Sequence, residues 1–307
     1  MKRRMVLILG AALLLSTMAM AADPAPAAPA AKKSNTAIKP EPRGDDWWGK
    51  RHEAIKERVK QGNVDLLFIG DSITHGWEDG GKDVWAKFYT PRNAVNQGFG
   101  GDQTQHVLWR LDNGEVDGIS PKLAVVMIGT NNSNGEDYTA EEIAEGIIAI
   151  IEKLNVKLPK TKVLVLGIFP RSEKPCPQRE KNAKASALVE KYITEKAAKG
   201  KGAKKLQYLD LGSKFLAPDG TLPKEIMPDF LHPNAKGYQI WADTIEPKVV
   251  EMMADKAAKK AEKKEAKKAE KKDAKAGEKK DAVKADEKKD AKPAEAKPAD
   301  AKPEEKK

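Results

Sequence analysis

Leu66-Leu67-Phe68-Ile69-Gly70-Asp71-Ser72-Ile73 is the stretch on which the reading of this chain turns. Its first four residues are apolar without alternation, and too few for a helix. A run of that kind reads as a strand buried on both faces, as in a parallel sheet covered by helices. A glycine, an acid and a serine follow at once. A serine in that position either caps the next helix or stands ready as a nucleophile, and the stretch alone leaves both open. A serine hydroxyl attacks well only when a histidine takes its proton and a carboxylate holds that histidine in the right tautomer. Far downstream, Asp229-Phe230-Leu231-His232-Pro233 sets an acid and a histidine three residues apart, just before a helix.

The pattern repeats outward from this strand. Residues 123–128 and 163–168 are also short, rich in branched residues and apolar at nearly every position, and 94–96 and 206–209 are weaker strand candidates. Between them 139–158, 180–198 and 234–252 read as helices. Thr139 can cap the first, whose Ile143, Ile147, Ile150, Ile151 and Leu154 make one stripe. Strands alternating with amphipathic helices predict an α/β fold, a three-layer α/β/α sandwich on a parallel sheet. In such sheets ligands bind at the carboxyl ends of the strands.

Three segments fall outside this alternation. Residues 1–21 have a basic start, an apolar core and a small-residue cleavage site at Ala19-Met20-Ala21. They read as a secretory signal peptide, too short in its apolar run for a membrane span, so the expected location is periplasmic or secreted. No cysteine stands directly after the cleavage site to carry a lipid anchor. Residues 22–44, rich in Ala and Pro and then polar, read as a flexible linker. The expected globular domain is 45–253. Residues 254–307 collapse to Ala, Lys, Glu and Asp with late prolines, a tail that is disordered or at most a fraying helix.

The charge follows the same division. Of the formal +10, the leader carries +3 and the tail +6, from 20 lysines against 14 acids. The remaining +1 belongs to the domain and its linker, which argues against a nucleic-acid-binding core. The tail suits loose contact with an anionic surface, or serves as a spacer. The single cysteine, Cys176, allows no internal disulfide, Cys-based zinc site or redox pair.

Two further loops carry candidate chemistry. Gln97-Gly98-Phe99-Gly100-Gly101-Asp102-Gln103 lets the backbone turn sharply and present an N–H, as an oxyanion hole requires, or is a plain strand-to-helix turn. Gly129-Thr130-Asn131-Asn132 offers the Asn131 amide to a developing oxyanion, or is ordinary turn chemistry. Thr74 stands where an α/β-hydrolase elbow needs its last glycine, which disfavours that fold. Neither dinucleotide nor P-loop glycine spacing occurs, and no His/Cys spacing supports a metal.

The ordered set of these motifs resembles the SGNH (GDSL) hydrolase family. Within it, the run from Gly100 to Leu111, Gly129-Thr130-Asn131-Asn132, and Pro170-Arg171 with Arg179-Glu180-Lys181-Asn182 are similar to the platelet-activating-factor acetylhydrolase-like branch. The likeness spans about residues 45–250 and implies a flavodoxin-like parallel sheet and no metal or cofactor. It places the nucleophile on Ser72, the base on His232 and the orienting acid on Asp229. The oxyanion donors fall on the Ser72 backbone, Gly101 and Asn131. Asn132 stands where most of the wider family has Asp, a feature that the acetylhydrolase-like branch shares. The implied activity is a serine esterase cleaving short, acetyl esters of carbohydrates or other small alcohols. Related subunits pair, so a homodimer is part of the expectation. The competing readings are a lysophospholipase, thioesterase or acyltransferase on the same fold, and a non-catalytic envelope-binding protein acting through its tail.

Overall fold

A computed structural model of the chain describes residues 34–200 and 204–254. The leader, the linker up to Lys33 and the tail from Asp255 lie outside the described residues. In chain order the elements are α1 (Asp46–Lys60), β1 (Leu66–Gly70), α2 (Ser72–His75), α3 (Lys82–Phe88), β2 (Ala94–Gly98), α4 (Thr104–Asp112), β3 (Leu123–Met127), α5 (Ala140–Lys157), β4 (Lys162–Leu166), α6 (Pro177–Ala198), β5 (Leu206–Leu209) and α7 (Ala235–Met253).

The five strands form one parallel sheet in the order β2-β1-β3-β4-β5. This is the flavodoxin-like order, whose direction of winding reverses between β1 and β3. The register sets Leu66 beside both Ala94 and Leu123, so the three strands end level, at Gly70, Gly98 and Met127. Successive side chains serve opposite layers. Leu67, Ile69, Ala124 and Val126 pack with α1, α4, α5 and α6, through residues such as Val59, Val107, Ile147 and Val189. Leu66, Phe68, Val125 and Met127 pack with α3 and α7, through Val84, Trp241, Ile245 and Val249. Burial on both faces is why these strands lack polar alternation.

Local signals set the helix ends. Thr139 accepts from the Glu142 N–H at 3.2 Å and Glu142 returns a bond to the Thr139 N–H at 2.8 Å, a capping box that opens α5. Helix α6 begins at Pro177, earlier than the expected 180, because proline at the first helical position already has helical φ and no N–H to satisfy.

One difference from the composition reading lies at the front of the domain. Residues 35–43, assigned by their polarity to the linker, pack on the fold. Ala37 is fully buried and its carbonyl accepts from Thr104 Oγ1 at 2.8 Å. Asn35 donates to the Glu142 carbonyl and the Glu145 carboxylate, and Thr36 meets the Tyr138 hydroxyl at 2.8 Å. One small apolar residue and several side-chain hydrogen bonds hold this segment, and neither leaves a periodic trace in the sequence.

Candidate active site

The end of β1 is shaped by a close approach. A Cβ on Gly70 would lie 2.3 Å from the Met127 carbonyl and 2.2 Å from Thr74 Oγ1, so only glycine lets α2 fold directly against the sheet. Asp71 caps that short helix, accepting the Ile73 N–H at 3.0 Å. Its carboxyl is fully buried with one oxygen unpartnered. Burial pushes its pKa up to about 7, against the pull of the Ile73 bond and with the help of the nearby Asp102 charge. Ser72 is thus the first residue of α2, and the capping role open to it falls to Asp71.

The loop before α7 delivers the other two residues. Phe230 adopts a left-handed φ of 59°, which folds the loop back on itself. Asp229 Oδ1 then accepts the N–H groups of Leu231 and His232 at 3.0 and 2.7 Å, and Oδ2 meets His232 Nδ1 at 2.6 Å. Desolvation opposes ionisation of Asp229, but the bonds from the His232 ring and the two N–H groups outweigh it and hold the pKa below the usual carboxylate range. An ionised Asp229 requires the proton on Nδ1, which leaves Nε2 free to accept. Nε2 lies 2.8 Å from Ser72 Oγ. Asn234 caps α7 through the Lys236 and Gly237 N–H groups, and Tyr238 Oη donates to the Ile73 carbonyl at 2.7 Å. The helix carrying the histidine loop is thereby bonded to the helix that carries the serine.

The glycine loop after β2 closes the third side. The Phe99 N–H donates to the Gly70 carbonyl at 3.1 Å, which lays this loop against the serine turn. Gly101 has a φ of 77°, where a side chain would be strained. Asn131 Nδ2 donates to the Asp102 carbonyl at 2.9 Å and keeps a second amide hydrogen. The N–H groups of Ser72 and Gly101 meet no acceptor among the described residues. The structure therefore gathers all five residues singled out in the sequence at the carboxyl ends of β1, β2 and β3. Among the described residues no cluster of His, Cys, Asp and Glu is arranged to hold a metal.

The GDSL-like lipase/acylhydrolase family model matches residues 68–240. The alpha2 subunit of human platelet-activating factor acetylhydrolase IB is 37% identical over 218 residues, covering 71% of this chain and 90% of that protein. The chicken alpha2 subunit is 38% identical over the same length. This chain belongs to the GDSL-like lipase/acylhydrolase family. Among solved structures, a protein of Bacteroides fragilis NCTC 9343 superposes with a TM-score of 0.55 at 19% identity, covering 68% of this chain and all of that one. A GDSL-like lipase from Bacteroides thetaiotaomicron VPI-5482 gives 0.50 at 20% identity, covering 66% and 95%. At such identities these two speak for the fold.

Beneath the GDSL-type serine turn lies a group that the sequence reading missed. Arg110 on α4 is fully buried. Its Nε donates to Asp102 Oδ2 at 2.9 Å, one terminal nitrogen pairs with Glu115, and the other reaches the carbonyls of Gly70 and Gln97 at 3.4 and 3.2 Å. Trp48 Nε1 donates to Asp102 Oδ1 at 2.8 Å, and His52 Nδ1 lies 2.9 Å from Glu115. One guanidinium thus ties together the ends of β1 and β2 and the acid of the glycine loop. The legible signal was position: Arg110 stands among Val107, Leu108 and Leu111, where a charge must be paired.

Proposed function

We propose that this family member is an exported esterase that removes acetyl and similarly short acyl groups from carbohydrate alcohols through an acyl-enzyme. The unbroken chain of hydrogen bonds from Asp229 through His232 to Ser72 carries the reading. Ser72 Oγ attacks the ester carbonyl while His232 Nε2 takes its proton, and Asp229 holds the imidazole and steadies its cationic form. The N–H groups of Ser72 and Gly101 and the second amide hydrogen of Asn131 are the donors to the oxyanion. His232 then returns the proton to the leaving alkoxide, and a water activated by the same nitrogen frees the acid and Ser72. The names of the acetylhydrolase relatives favour a two-carbon acyl group. The leader supports export to the periplasm or beyond, where ester-bearing carbohydrates are the accessible substrates.

The test is hydrolysis of p-nitrophenyl esters from acetyl to palmitoyl by the wild type and Ser72→Ala. The expected profile peaks at acetyl, and the variant loses several orders of magnitude in kcat with its fold intact. A variant that kept most of its turnover would remove Ser72 as the nucleophile. A profile peaking at palmitoyl would favour lipase-like chemistry.

A further inference from the structure

In the proposed reaction the leaving oxygen must reach His232 Nε2, so the alcohol half of the ester lies on the histidine side of Ser72. A hollow of about 290 Å³ opens there, walled by His232, Pro233, His75 and Asp79 and floored by Gly76 and Gly80. The floor has no side chains because Tyr238 occupies their space. A Cβ on Gly76 would lie 2.2 Å from Tyr238 Oη, and one on Gly80 would lie 3.3 Å from Tyr238 Cε2.

Asp79 is exposed, and among the described residues no cation pairs with its carboxylate. Its neighbour Glu78, by contrast, is held by both terminal nitrogens of Arg51 at 3.0 and 2.6 Å. Burial, and then the Arg51 charge, pull the His75 pKa down, so this ring is neutral at ordinary pH and offers one donor and one acceptor. Beyond His75 stands Trp47, 42% exposed and the one aromatic among the large exposed hydrophobics of the described residues. Its ring is nearly parallel to His75 and offset from it, with centroids 6.4 Å apart at 18°. Gly100 lies between the two, since a Cβ there would be 3.7 Å from Trp47 Cη2 and 3.9 Å from His75 Nδ1.

We propose that this surface is a subsite for a pyranose-type polyol, with Asp79 and His75 meeting its hydroxyls and Trp47 stacking on a C–H face of the ring or of the next one along. The inference rests on the esterase reading above and names the alcohol that the site selects. A sugar presents hydroxyls around its edge and apolar C–H groups on its faces. A free carboxylate in the hollow and an exposed indole stacked on His75 match both. A long acyl or lipid chain would need an apolar trough, and among the lining residues only Pro233 and Tyr238 are apolar or aromatic, against His75, Asp79, His232, Ser72 and two glycines. A cationic alcohol is the competing ligand, since a carboxylate and an aromatic ring both attract it. Against it, the Arg43 guanidinium, 5.4 Å from the centre of the Trp47 ring, would repel a second cation there but not a neutral sugar.

The experiment compares kcat/KM on a monoacetylated methyl β-xylopyranoside, ethyl acetate, acetylcholine and p-nitrophenyl acetate. The enzymes are the wild type, Asp79→Asn, Asp79→Ala and Trp47→Ala. Both positions are exposed, so the variants should fold, and melting curves check this. The readout is the ratio of sugar ester to p-nitrophenyl acetate, which cancels any common change in the chemical step. The wild type should favour the sugar ester over ethyl acetate, and each alanine variant should lower the ratio about tenfold. Ratios unchanged within twofold would overturn the subsite. So would a wild type that prefers acetylcholine, or treats the sugar ester no better than ethyl acetate, while still cleaving p-nitrophenyl acetate. A wild type inert to all four esters would sink the esterase reading itself, and the subsite with it.

Discussion

Asp71 sits beside the serine yet works for the helix, and its burial has a thermodynamic consequence. An unfolded aspartate titrates near 3.9, whereas burial raises this one to about 7. Between those values the unfolded chain has released the proton and the folded one keeps it. Folding therefore loses stability as pH rises from about 4 to about 7 and stays level above that. His106 works the other way. Burial, then the charges of Arg43 and Arg110, lower its pKa to about 4, so its share of stability is lost as pH falls from about 6.5 toward 4. The two effects overlap and partly cancel, and only a variant separates them. Asp71→Asn keeps an acceptor for the Ile73 N–H and removes the charge. Relative to the wild type it should gain roughly 2–3 kcal/mol of stability between pH 5 and pH 8, read from melting curves at both. Equal pH dependence in the two proteins would mean that Asp71 is ionised in the fold throughout. Asn131→Ala tests the opposite side of the serine. Its kcat should fall about 10²–10³-fold with KM little changed, the usual loss of one oxyanion donor. A change confined to KM would assign Asn131 to ground-state binding.

Helix α4 shows why some elements were legible and others were not. The three central strands announced themselves because each is buried on both sides, which leaves only apolar residues. Helix α4 has no such stripe, since Thr104, Gln105 and Arg110 are buried beside Val107, Leu108 and Leu111. Its buried polar side chains are satisfied by distant partners such as Asn132, Tyr138 and Asp102, which no local pattern reveals. The same distinction runs through the site. Asp229 and His232 are three residues apart and their bond is local, so the spacing could be read. Trp47 and Asp79 enter the argument only once α1 and the turn after α2 are placed beside the sheet ends. Arg110 makes the energetic case for its element. Arg110→Met would leave Glu115 buried without its guanidinium and Asp102 with only the longer Arg43 guanidinium contact at 3.7 Å, a loss of about 3–5 kcal/mol. Urea titration should show a midpoint lowered accordingly. A loss below about 1 kcal/mol would mean that the two acids can shed their charge or find water at little cost.

At the scale of the whole chain, composition reads domain boundaries from where charge and hydropathy change, and at the front of the domain the described residues depart from that reading. Polarity assigned residues 35–43 to the linker, but Ala37 is fully buried among residues that include Val107, Ile143 and Tyr138. Arg43 reaches from the same segment to the glycine loop, where its Nη1 donates to the Gly100 carbonyl at 2.6 Å. These residues thus clasp α4, the start of α5 and the glycine loop together. A chain beginning at Asn35 should match the full-length protein in melting temperature and esterase turnover. One beginning at Asp45 loses the hydrogen-bonded attachments of five residues, Asn35, Thr36, Ala37, Glu41 and Arg43, as well as the burial of Ala37. At about 0.5–1.5 kcal/mol for each bond, offset by the entropy released when the segment is cut away, the shorter chain should be less stable by about 2–4 kcal/mol. Its kcat should fall as well, because the Gly100 carbonyl loses the guanidinium that steadies the loop. Identical melting and turnover for the two truncated chains would return residues 35–43 to the linker that their composition describes.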